Sequence, residues 1–117
     1  MKDESLSELA ASLRTFAKER DWDQFHSPRN LAAALSVEAG EILEHFQWLN
    51  DEQSASISIE KRNEIALELA DVLLYLIRLA DRLDIDLIAS AKKKLTINAE
   101  KYPVERARGT SKKYTEL

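Results

Sequence analysis

Four carboxylates stand at spacings that draw them into pairs. Glu38-x-x-Glu41 and Glu68-x-x-Asp71 each bring two acidic side chains together if their segments are helical, because residues three apart are neighbours on a helix. Successive helical positions turn by about 100°. That rotation sets Glu38 within the apolar stripe of Leu31, Leu35, Ile42 and Leu49, with Glu41 at its edge. It also aligns Glu64, Glu68, Asp71 and Tyr75 on one face, flanked by Ile65, Val72 and Leu79. A carboxylate at a core position is costly unless it is protonated, paired with a cation or bound to metal. Two such pairs on facing helices would form an all-oxygen cage, and hard oxygen donors suit Mg²⁺ or Mn²⁺, ions that often share their coordination with substrate phosphates. Structural neutralisation by Arg14, Arg29, Arg78 or Arg82 is the competing explanation. A ferritin-like di-iron centre is disfavoured, since it requires Glu-x-x-His on two helices and the two histidines, His26 and His45, do not complete that spacing.

Cations and aromatics surround these pairs in the sequence. Lys94, Asn98 and Lys101 recur at i, i+4 and i+7 and continue a stripe begun by Leu87 and Ala91. Cations on an inward face need an anion, which either the core carboxylates or a metal-bound polyphosphate supplies. Arg106, Arg108, Lys112 and Lys113 are further phosphate candidates. Trp22, Phe25, Trp48 and Tyr75 lie near helix ends or the acidic stripe. They read either as ordinary core packing or as a wall on which a base stacks. His26 by itself reads as a loop or capping residue.

The elements that must position these groups are helices. Ser5-Leu6-Ser7-Glu8 has capping-box spacing, and Leu6, Leu9, Leu13 and Phe16 follow at helical intervals, predicting a first helix over Ser5 to Arg20. Ser27-Pro28 starts a second, expected to reach Leu49. Residues 50–58 read as a polar connecting loop, and a third helix is expected from Ile59 to Leu83. Asp84 and Asp86 offer caps for a fourth, which Pro103 stops. Residues 104–117 then read as a polar basic tail. The expectation is an all-α, four-helix-bundle-like subunit, a single domain over residues 1–117. The third helix is apolar around nearly its whole circumference, through Leu67, Leu69, Val72, Leu73, Leu76 and Ile77. A helix of that kind must be covered on all sides, which predicts a helical homo-oligomer.

Composition narrows the function classes. The 117 residues include no cysteine, which excludes disulfides, thiolate metal sites and cysteine nucleophiles and fits a reducing compartment such as the cytoplasm. Met1 to Ala10 is acidic and polar where an export signal needs a basic end and an apolar run. The longest apolar stretch, Ile65 to Ala80, carries Glu68, Asp71 and Arg78, so no membrane span is expected. The net charge of −4 conceals a division. Residues 1–91 hold nine basic and eighteen acidic side chains, whereas residues 92–117 hold eight basic and three acidic. The basic segment is either a solvated tail or the contact for an anionic partner. Nucleic acid is not that expected partner, because the chain is acidic overall and carries no recognised motif.

The chain resembles the all-α nucleoside triphosphate pyrophosphohydrolases of the MazG-like superfamily, whose signature is Glu-Glu-x-x-Glu, a spacer, then Glu-x-x-Asp. Glu38-x-x-Glu41 and Glu68-x-x-Asp71 match it across 26 intervening residues, with Val37 in place of the first Glu. That departure is shared with the dCTP pyrophosphatase subgroup, which the chain looks most like. The closer resemblance runs through Glu19-Arg20-Asp21-Trp22, Phe25-His26-Ser27-Pro28-Arg29-Asn30-Leu31, Phe46-Gln47-Trp48, Tyr75, Asn98, Lys101-Tyr102-Pro103, Ala107-Arg108-Gly109 and Ser111-Lys112-Lys113-Tyr114-Thr115. It implies a homotetramer built from tight dimers. It also implies hydrolysis of a deoxynucleoside triphosphate, dCTP or a modified pyrimidine relative, to monophosphate and pyrophosphate in nucleotide-pool cleaning. Glu38, Glu41, Glu68 and Asp71 would then be Mg²⁺ ligands, with Glu41 alternatively the base for the attacking water. Trp22, His26, Trp48 and Tyr75 would line the base and sugar pocket, while Lys94, Asn98, Lys101, Arg108 and Lys112 would hold phosphates. Leu13 stands where a base-contacting histidine is expected in mammalian members. The alternative from another class is a catalytically silent oligomeric helical module that binds nucleotide or a protein partner.

Overall fold

A computed structural model describes residues 5–117. Residues 1–4, which open the segment that argued against an export signal, lie outside the described residues. Every regular element among those described is helical. Helix α1 spans Leu6–Glu19, α2 Pro28–Glu44, α3 Asp51–Ser54, α4 Ile59–Arg82, α5 Leu87–Lys101 and α6 Val104–Ala107, with 3₁₀ turns at Asp23–Phe25 and Tyr114–Glu116. No helix among the described residues is long and apolar enough to cross a membrane.

Short polar side chains set where the helices begin. The Ser5 hydroxyl accepts from the Glu8 amide, Ser27 from Asn30 and Ser58 from Lys61, each at 3.1 Å, and the Asp86 carboxylate accepts from Ala89 at 3.0 Å. Each bond satisfies one of the amides that the first turn leaves without a partner. Pro28 occupies the first turn of α2, where its missing N–H costs nothing. Helix α1 ends at Glu19, and two residues on Asp21 has a φ of 55°, in the left-handed region that Asp tolerates. This residue turns the chain into the 3₁₀ segment that carries His26.

Two expectations are corrected. Helix α2 stops at Glu44 rather than Leu49, because Asn50 and Gln53 form a reciprocal capping box, with bonds of 2.8 and 3.0 Å, that starts α3 inside the expected loop. The residues before it tighten into i→i+3 turns, Phe46 N to Leu43 O at 2.9 Å and Leu49 N to Phe46 O at 2.9 Å. The tail is not featureless either. Pro103 ends α5 and its carbonyl then accepts the Ala107 amide at 2.9 Å, starting α6.

The chain divides into two compact units, Met1–Asp84 and Ile85–Leu117. In the first, α1 and α2 both pack on α4. Its core is Ala17 of α1, Leu31 of α2, and Ile65, Ile77 and Ala80 of α4. Leu67, Leu69, Leu73 and Leu76 of α4 stay exposed. In the second unit the Tyr102 and Tyr114 rings meet edge-on at 6.1 Å, and the Lys101 ammonium sits 4.7 Å from the Tyr114 ring centre.

Ile77 is 2% exposed at the packing centre of α4, so Ile77→Ala should cost about 2–5 kcal/mol through lost transfer energy and a residual cavity. Exposed Lys93→Ala should stay within about 0.5 kcal/mol. Denaturant unfolding of both variants checks the contrast.

Candidate metal centre and its adjoining cavity

The α2–α4 packing turns the two acidic pairs toward each other. Glu38 and Glu41, one turn apart on α2, meet Glu68 of α4, and one carboxylate oxygen from each lies within 4.8 Å of the others. All three side chains are partly buried. Two of their oxygens, Glu38 Oε2 and Glu68 Oε2, are buried without a hydrogen-bond partner. Ionised carboxylates only accept, so three in contact cannot satisfy one another.

Protonation of Glu38 is the metal-free molecule's answer. Its pKa rises from 4.5 to about 7, first because its protonated carboxyl can donate to Glu41, then because it is desolvated, then through Glu68 and the charges of Glu41 and Asp71. Arginine does not relieve the cluster. Arg14 pairs with Asp81 at 2.7 Å, while Arg78 pairs with Asp23 at 2.5 Å and lies 3.7 Å from Asp81. The ion pair of Lys61 goes to the exposed Glu64 at 3.5 Å. Among the described residues, no ion pair reaches Glu38, Glu41 or Glu68. The competing explanation, structural neutralisation by these arginines, therefore fails for Arg14 and Arg78. An ion with a demand for oxygen ligands fits the orphaned oxygens and the donor set.

Asp71 is exposed and stands one turn beyond Glu68. It lies outside the three-carboxylate group but near enough to raise the Glu38 pKa by charge. It also lines a cavity of about 210 Å³ with Leu13, Phe16, Ala17, Trp22, His26, Leu74, Tyr75 and Arg78. The cavity thus joins the acidic face of α4 to an aromatic wall. Trp22 meets Phe16 edge-on at 5.6 Å and His26 at 6.2 Å.

Of the residues singled out in the sequence, Glu38, Glu41 and Glu68 come together, and Asp71, Trp22, His26 and Tyr75 share the cavity. Trp48 is 86% exposed and lies in neither group. Lys94, Lys101, Arg108 and Lys112 are exposed and Asn98 half-buried within the second unit. Sequence reading passed over Arg78 as part of the cavity. Its only signal was position, one turn past Tyr75 and two past Asp71 on the same face of α4.

The MazG-like family model matches residues 33–117. The dCTP pyrophosphatase 1 of Homo sapiens is 49% identical over 104 residues, 87% of this chain and 61% of that protein. The dCTP pyrophosphatase 1 of Bos taurus is 47% identical over the same share of this chain and 62% of its own length. The chain therefore spans about three fifths of the curated relatives it matches. Among solved structures, a pyrophosphatase from Archaeoglobus fulgidus superposes with a TM-score of 0.81 at 36% identity, covering 88% of this chain and 96% of that one. With acidic pairs, helical fold and sequence in agreement, the chain belongs to the MazG-like family.

Proposed function

We propose that this chain is a nucleoside triphosphate pyrophosphohydrolase that acts on dCTP or a closely related pyrimidine deoxynucleoside triphosphate. The observation that carries the reading is the pair of buried, unpartnered carboxylate oxygens on Glu38 and Glu68, beside a cavity walled by Trp22, His26 and Tyr75. The similar dCTP pyrophosphatases and the similar pyrophosphatase structure supply the reaction class.

In this reading Glu38, Glu41 and Glu68, with Asp71 at the cavity side, hold Mg²⁺ or Mn²⁺. Bound there, the ion would draw charge from phosphate oxygens and help generate or orient the attacking water. Water adds across the α–β phosphoanhydride, and the products are the monophosphate and pyrophosphate. Trp22 and Tyr75 offer ring faces and edges to a base. By resemblance to the family, Lys94, Asn98, Lys101, Arg108 and Lys112 of the second unit are the phosphate-binding candidates. The uncovered leucines of α4, Leu67, Leu69, Leu73 and Leu76, support assembly with further copies into a homotetramer. A cysteine-free chain suits the reducing cytoplasm, where the nucleotide pool lies.

Incubation of the protein with dCTP and Mg²⁺, followed by ³¹P NMR, should show dCMP and pyrophosphate, and chelation should stop it. Loss of a metal ligand removes several kcal/mol of transition-state stabilisation, so Glu68→Gln should lower kcat/KM on the order of a hundredfold or more. Release of inorganic phosphate alone would contradict the bond assignment. No turnover of any nucleoside triphosphate would leave a binding module instead.

The metal also has a pH signature. Glu38 is protonated up to about pH 7 in the folded, metal-free chain but only to about 4.5 when unfolded. Its favourable contribution is complete below pH 4.5 and disappears as pH rises through 7. In chelator, wild type should therefore lose thermal stability relative to Glu38→Gln between pH 5 and about 8. Added Mg²⁺ should raise the wild-type Tm more at pH 8 than at pH 6, because binding must displace that proton. An equal Mg²⁺ effect at both pH values would contradict the arrangement.

A further inference from the structure

Arg78 is 5% exposed, and its guanidinium is divided among three partners. Nε donates to His26 Nδ1 at 3.2 Å, Nη2 donates to Asp23 Oδ1 at 2.5 Å, and Nη1 lies 3.7 Å from Asp81 Oδ2. Asp81 is itself held by Arg14 of α1 at 2.7 Å. One buried side chain of α4 thus fastens both ends of the 3₁₀ segment that carries the aromatic wall of the cavity.

The chemistry of the pair is more specific than its packing. A guanidinium donates and never accepts. His26 Nδ1 must therefore present a lone pair to Arg78, which leaves the ring proton on Nε2. Burial first, and then the Arg78 charge, hold the His26 pKa below its ordinary 6.5, with Asp23 opposing, so the ring is neutral at physiological pH. Nε2 has no hydrogen-bond partner among the described residues, and His26 lines the cavity.

We propose that Arg78 is a positioning residue that locks His26 in the Nε2–H tautomer, so that the ring donates to an acceptor, a carbonyl oxygen or ring nitrogen, on the base of the bound nucleotide. The identity of the ligand rests on the proposed function above, whereas the tautomer rests on Arg78 and His26 alone. The donor selects ligands by what they accept. A site built to donate rejects an analogue lacking the acceptor, because the donor is then left buried and unpaired.

Long-range ¹H–¹⁵N spectra of the full ¹⁵N-labelled chain at pH 7.5 test the lock without reference to turnover. The His26 signals are identified by their loss in His26→Gln. The expected wild-type pattern is one tautomer, with a protonated Nε2 and an unprotonated Nδ1. Arg78→Lys, which keeps the charge but not the fixed Nε–H, should shift both nitrogens toward a mixture. A wild-type ring protonated on Nδ1, or a wild-type pattern unchanged in Arg78→Lys, would overturn the proposal.

Kinetics with dCTP test the contact. Arg78→Lys and His26→Asn should raise KM about tenfold with kcat within about threefold, the size of one lost hydrogen bond. His26→Gln, whose amide nitrogen takes the place of Nε2, should raise KM less than His26→Asn does. The two histidine variants keep the test decisive if Arg78→Lys folds poorly. Asn surviving where Gln fails would make Nδ1 the contacting atom and overturn the proposal. A locked tautomer in a protein that neither binds nor hydrolyses any nucleoside triphosphate would overturn the base contact together with the proposed function, and the spectra would place that failure in the ligand rather than in the Arg78–His26 pair.

Discussion

Three carboxylates pressed together at a helix–helix contact, with no ion pair to a cation among the described residues, are the constraint around which this chain is built. Glu38, Glu41 and Glu68 bring oxygens within 4.8 Å of one another between α2 and α4. Apolar side chains there would pack more favourably, since unneutralised carboxylates at low dielectric repel and lose solvation. The molecule tolerates them by leaving Glu38 protonated up to about pH 7. That state is a placeholder: it lowers the cost of the cluster without filling the unpartnered oxygens. A divalent cation bound there would fill them, which would tie the local strain of the fold to a binding function.

The rest of the first unit serves this contact. Ile65 and Ile77 bury α4 against its neighbours on either side of the acidic turn, and Leu31 anchors the start of α2. The packing that stabilises the helices is therefore also what fixes the distance between the acidic pairs. The Arg14–Asp81–Arg78–Asp23 chain links α1, α4 and the 3₁₀ segment. Because the arginines are engaged there, they are not available to neutralise the carboxylates.

Much of this was legible in the residues themselves. Ser5, Ser27, Ser58 and Asp86 announce four helix starts because a short polar side chain before an apolar run satisfies orphan amides. The i, i+3 acidic spacing and its coincidence with apolar stripes identified the cluster, and the uncovered side of α4 was readable from its excess of leucine. The end of α2 was not, since Asn50 and Gln53 look like loop composition until their reciprocal bonds are seen. Nor was the role of Arg78. Its partners His26 and Asp23 lie 52 and 55 positions away, and no periodicity reports a contact that depends on how α4 meets the turn after α1.

The central claim is that the acidic cluster is a cation site, and direct binding of Mn²⁺ to the purified chain, followed by electron paramagnetic resonance, tests it without involving nucleotide or turnover. The account predicts saturable loss of the free Mn²⁺ signal at pH 8, competition by Mg²⁺, and loss of this binding in Glu68→Gln while the fold is retained. Wild-type binding no tighter than that of a folded Glu68→Gln variant would contradict it.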